Sequence, residues 1–126
     1  MIKLTRRLTV LACCSALLAM PAAADPTPPS PQTAKQAARC SIVASMAADA
    51  AKSTEAAAGS KTMSRLMLKL AVVGAGRQQT MAWLDELEAE FRGSADLSFL
   101  RQETDACRTL IAEQSEWLDI LLHQAN

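Results

Sequence analysis

The sequence predicts an all-α protein: a small up-and-down helical bundle of three to four helices with one inter-helix disulfide, following a cleaved signal peptide and a Pro-rich spacer. Three observations predict it. All five prolines fall between Pro21 and Pro31, so 32–126 holds no residue that removes a helix hydrogen bond. That stretch is dominated by Ala, Leu, Met, Glu, Gln and Arg, the strong helix formers, and lacks β-branched runs and hairpin dipeptides. Its apolar residues recur at three- and four-residue spacing, the period of one helix face.

The chain starts with a basic segment (Lys3, Arg6, Arg7), an apolar run from Leu8 to Met20 and the small residues Ala22-Ala23-Ala24 before Asp25. This is the layout of a secretory signal peptide over 1–24, cleaved after Ala24, and it directs the product to the periplasm or outside the cell. Lipidation at Cys13, read from Val10-Leu11-Ala12-Cys13, is a minor alternative: few apolar residues precede that cysteine, and apolar residues follow it where a polar tether belongs. Asp25-Pro-Thr-Pro-Pro-Ser-Pro31 reads as an extended, solvated spacer over 25–31, and 32–126 as the helical domain.

In the first segment Ser30 is a natural N-cap and Pro31 suits the first helical position. Ala37, Cys40, Val43, Ala44, Ala47, Ala50 and Ala51 give it a flat, alanine-rich face that a neighbour can approach closely. It ends between Ala51 and Gly59. A second segment starts near Ser60 or Thr62 and buries Met63, Leu66, Met67, Leu70 and Val73. Gly74-Ala75-Gly76 predicts a kink or short break, because each interior glycine costs about 1 kcal/mol relative to alanine. The stripe resumes at Met81, Leu84, Leu87 and Phe91. Gly93-Ser94-Ala95-Asp96 is a loop. A last helix then runs to about His123, with Leu97, Leu100, Cys107, Leu110, Ile111, Leu118, Leu121 and Leu122 on one side and Trp117 beside them.

Cys40 and Cys107 are the two cysteines beyond the signal, and an oxidising compartment lets them pair. The bridge closes 40–107 into one loop, worth about 4 kcal/mol in the chain-entropy estimate. There is no Cys-x-x-Cys and no histidine near either, so redox or zinc chemistry has no local support.

Residues 25–126 carry 10 basic and 13 acidic side chains, unevenly placed. From Asp25 to Arg77 there are seven basic and three acidic residues, and from Gln78 to Asn126 three basic and ten acidic. Such halves are expected to pair when folded together. An acidic chain without Tyr is poorly suited to nucleic acid, and no segment after the signal is long and apolar enough to span a membrane.

Candidate chemistry is sparse. Gly74-Ala75-Gly76-Arg77 lacks the third glycine of a dinucleotide loop and the Lys-Ser/Thr of a Walker loop. His123, the only histidine, could pair with a methionine such as Met46 as haem ligands, an arrangement like that of periplasmic b-type cytochromes, although no motif beyond bundle and residue types supports it. A hydrolase ranks last, because a Ser-His-acid triad would have to use His123 at a helix end and no nucleophile elbow is present. No cofactor and no metal site is expected.

Asp85, Glu86, Glu88 and Glu90 crowd one helix, with Trp83 off the main stripe beside them. The expectation is a non-catalytic exported protein, not an enzyme, that binds another protein in the periplasm through Trp83, Asp85, Glu86, Glu88 and Glu90. At the level of class the arrangement resembles small exported helical proteins with one disulfide, which include acid-stress chaperones and periplasmic immunity proteins; no residues carry over from them.

Overall fold

The computed structural model of the chain describes residues 26–94 and 96–124. The signal peptide, its cleavage site after Ala24 and the alternative at Cys13 lie outside them. Among the described residues there are five helices and no strand: α1 Pro31–Ala50, α2 Thr54–Ala75, α3 Arg77–Ser94, α4 Leu97–Glu113 and α5 Ser115–Gln124. The all-helical class holds, and the count exceeds the expected three to four. None of these helices is long and apolar enough to cross a membrane.

Side-chain caps set most of the boundaries. The Ser30 hydroxyl accepts a hydrogen bond from the Thr33 N–H at 3.1 Å, with Pro31 at the first helical position. Ser53 does the same for Ala56 at 3.1 Å and starts α2 several residues earlier than the glycines suggest. Gly59 therefore lies inside a helix rather than between two. Its alanine-rich surroundings favour helix, and one glycine's cost is too small to break it. The next boundary does need glycine. Gly76 takes φ +86°, and its N–H donates to the Val72 carbonyl at 2.8 Å to close α2. Asp96 caps α4, accepting from the Phe99 N–H at 2.8 Å.

The extra helix arises at Gln114, which leaves helical geometry (φ −107°, ψ 23°) and divides the expected last helix in two. Neither Gly nor Pro marks the place. The cause is tertiary: α4 packs on α1, whereas α5 packs on α2, and the chain must bend to reach both.

Small residues form the centre of the core. Ala34, Ala37 and Ala38 of α1 are fully buried, as are Met67, Leu70 and Ala71 of α2, and these two helices share the largest interface in the molecule. They run antiparallel, Ser41 lying near Ser64 and Ala34 near Gly74. A Cβ on Gly74 would stand 2.8 Å from the Ala34 Cβ and 2.9 Å from the Pro29 carbonyl oxygen, so this glycine serves close packing rather than a break. Pro29 is buried there, and the Trp117 indole N–H donates to the Thr27 carbonyl at 2.9 Å. Thr27, Pro28 and Ser30 are exposed, so this segment meets the helices at the Pro29 ring and the Thr27 carbonyl.

The expected stripes shift in places. On α1 the buried set is Ala34, Ala37, Ala38, Cys40, Ser41 and Ala48, while Ala47 and Ala50 are exposed. Leu66, Met67, Leu70, Leu87, Phe91, Cys107, Leu110, Leu118 and Leu121 are buried as the pattern requires. Met81, Leu97 and Leu122 are not, at 52%, 66% and 45% exposure. Thr80, a polar residue outside the stripe, is fully buried with its hydroxyl donating to the Gly76 carbonyl at 2.7 Å. Cys40 and Cys107 stand at disulfide distance with Cα atoms 5.5 Å apart, joining α1 to α4.

Two glycines on one helix should respond oppositely to alanine. A Cβ on Gly59 meets nothing within 4 Å, so Gly59→Ala should raise unfolding free energy by about 0.5–1 kcal/mol. Gly74→Ala should lower it by about 1–3 kcal/mol through overpacking. Urea denaturation of the two variants beside the parent checks both signs.

Candidate functional site

The site question centres on α3, whose residues succeed one another at about 100° around the axis. Its buried line is Thr80, Leu87 and Phe91, with Leu84 half-buried beside them. Either side of that line the helix presents two different surfaces. Met81, Asp85, Glu88 and Arg92 fall on one flank, and Trp83, Glu86 and Glu90 on the other. The pairs Asp85 with Glu88 and Glu86 with Glu90 share faces as the spacing requires, but the five residues expected to form one partner-binding patch do not form a single surface.

Glu90 also has an internal use. Arg39, projecting from α1, places its guanidinium Nη1 3.1 Å from Glu90 Oε2. Its Nε donates to Glu103 Oε2 at 3.1 Å, and Nη2 donates to Glu103 Oε1. The guanidinium carbon stands 5.5 Å from the centroid of the Phe91 ring, which meets Phe99 edge-on at 5.1 Å. Arg39 thereby clasps α1 to both α3 and α4, next in sequence to the cysteine that also reaches α4. The hydrogen bond that Arg39 donates to Glu103 raises its pKa above the ordinary value, prevailing over burial, which acts in the opposite direction; Glu90 adds to the rise. The guanidinium therefore stays charged at any physiological pH.

The Trp83 flank borders a cleft of about 420 Å³ lined with Pro31, Gln32, Lys35, Gln36 and Arg39 of α1. The indole is half-buried at its wall and Glu86 is exposed close by in sequence. The opposite flank opens on an apolar valley. Leu68, Val72 and Val73 of α2, Met81 of α3 and Leu121 of α5 line its widest part, about 650 Å³, with Lys69 and Arg77 also lining it. At Leu68 the valley meets a smaller depression of about 220 Å³, lined by Leu84 and Glu88 of α3, Ile42 and Met46 of α1, and Ser41, Ser45 and Ser64. Sequence reasoning passed over this valley. Leu68 and Val72 carry the missed signal: they are four residues apart on a second apolar line of α2, beside the buried one.

His123 is exposed at the last turn of α5, its Nδ1–H donating to the Asp119 carbonyl at 2.7 Å. Met46 lines a cleft with Ile42, Glu88, Phe91 and Arg92, so the two residues considered as haem ligands belong to different surfaces. Among the described residues no group of three or more His, Cys, Asp or Glu could hold a metal ion. No buried side-chain nitrogen or oxygen among them lacks a hydrogen-bond partner.

The charge halves pair less than expected. Of the ion pairs between described residues, only those of Arg39 join the basic half to the acidic half; Arg108 with Asp105 and His123 with Asp119 are local to one helix turn.

Comparison with protein-family models, with curated proteins and with solved structures finds no match for this chain.

The Arg39 clasp makes a quantitative prediction. Its side chain is 18% exposed and that of Glu103 13%, so Arg39→Ala strands a mostly buried carboxylate and should cost about 2–4 kcal/mol of stability. Arg39→Lys keeps the charge but loses the two-pronged fork, and should recover only part of that. Equilibrium unfolding of both variants measures the ordering.

Proposed function

We propose that this chain is a small exported protein of the periplasm that acts non-catalytically by binding another protein, in the manner of an inhibitor, immunity protein or chaperone. The observation that carries the reading is Trp83, a large rigid ring set at the wall of an open cleft between α1 and α3. Its flat apolar body and polar N–H suit an interface anchor, and such rings dominate measured binding energies. Glu86 on the same flank and Lys35 across the cleft give the anchor a polar rim.

Arg39, whose pKa the hydrogen bond it donates to Glu103 raises, is accounted for as a clasp between helices. Within the earlier partner-binding set, the reading favours Trp83 and Glu86 and assigns Glu90 to the clasp.

Affinity capture from a periplasmic extract tests it. The parent protein should retain a stoichiometric partner, Trp83→Ala should weaken that association by roughly 30-fold or more, and Glu86→Lys should chiefly slow association. Gly59→Ala, remote from the cleft, should leave it intact. No partner across several pH and salt conditions, or full retention by Trp83→Ala, would count against the proposal.

A further inference from the structure

The apolar valley on the other flank of α3 asks for a different occupant. Val72 and Met81 are 36% and 52% exposed on its walls, an apolar surface distinct in character from the polar-rimmed Trp83 cleft. Obligate interfaces are the more hydrophobic kind. The charges along the valley are arranged by sign. Lys69 and Arg77 line its wide end and Glu88 the depression beyond Leu68, and none of the three enters an ion pair among the described residues. Between Arg77 and Glu88 along α3 stand Met81 and Leu84.

Residues 77, 81, 84 and 88 recur at spacings of four, three and four, the seam of two packed helices. The order basic, apolar, apolar, acidic is complementary to itself when reversed. A second α3 laid antiparallel, with a twofold axis between residues 82 and 83, sets Arg77 against the other Glu88 and Met81 against the other Leu84. Arg77 and Glu88 are about 16 Å apart along the helix, so both ends of the seam are held. A twofold interface requires this kind of self-complementarity.

We propose that the valley is covered by α3 of a second copy of this chain, in an antiparallel twofold dimer closed by Arg77–Glu88 pairs at each end. The dimer covers one flank of α3 and leaves the Trp83 flank free on both copies, so it stands or falls independently of the protein-binding reading.

Charge reversal tests it. Analytical ultracentrifugation of the purified protein at micromolar concentration should show a dimer. Arg77→Glu gives a seam acidic at both ends and Glu88→Arg one basic at both ends; each should weaken self-association on the order of 100-fold, as like charges oppose each other twice. An equimolar mixture of the two variants should restore the dimer, because each acidic end then meets a basic one. Both sites are at the surface, and unchanged helical circular dichroism will show that each variant is folded. A monomeric parent, single variants that dimerise as well as the parent, or a mixture that stays monomeric overturns the proposal.

Discussion

The most deeply buried side chains of the first helix are no larger than cysteine. Ala34, Ala37, Ala38, Cys40, Ser41 and Ala48 make up its buried face, and the rest of the structure follows from that poverty. Small side chains remove little apolar area from water, roughly 25 cal/mol per Å², so α1 contributes to the core mainly by letting others approach. The approach is closest where Gly74 meets Ala34 and the Pro29 carbonyl. A helix with so smooth a face lacks the knobs and grooves that fix a packing angle. Directional bonds supply the missing definition: the Ser64 hydroxyl donates to the Ser41 carbonyl across α1 and α2, and two adjacent residues reach the other helices. Arg39 reaches Glu90 and Glu103, and Cys40 reaches Cys107. Small domains commonly depend on staples of this kind.

The valley is a consequence of the same arrangement. α2 spends its buried line, Leu66, Met67, Leu70 and Ala71, on α1. α3 is drawn toward α1 by Arg39 and Phe91, and it also packs on α2, to which the single residue Gly76 joins it. Two helices that each face a third cannot also close fully on one another. Leu68 and Val72 on α2, and Met81 on α3, are the residues left on the open side.

Local rules were sufficient for what is decided locally. Ser30, Pro31, Asp96 and the break at Gly76 were legible because a cap or a positive φ depends on one or two side chains. Ser53 obeys the same local rule, whereas Gly59 stays inside α2 because one glycine's small cost loses to helix continuity. The division at Gln114 left no local mark, since its cause is that α4 and α5 pack on different partners. Gly74 was visible as a glycine, yet its purpose lies in Pro29 and Ala34, some forty residues away. For the site, helical spacing correctly paired Asp85 with Glu88 and Glu86 with Glu90. What it lacked was the direction of the core, without which two flanks look like one patch, and a distant Arg39 that claims Glu90.

The charge asymmetry takes on a different meaning once the pairs are placed. Between Asp25 and Arg77 lie seven basic residues, and ten acidic residues follow Gln78, a division that intramolecular pairing was expected to absorb. Among the described residues, only Arg39 forms ion pairs that bridge the halves. Lys35, Lys69 and Arg77 on one side, and Asp85, Glu86 and Glu88 on the other, keep their charge toward solvent. Exposed pairs add little to stability, so leaving them unmade costs the fold almost nothing. Separated fields of opposite sign act instead at longer range, orienting an approaching surface before contact. On α3 the division is sharpest, because its first residue is basic and its middle is acidic. Any molecule that docks along this helix must match that gradient.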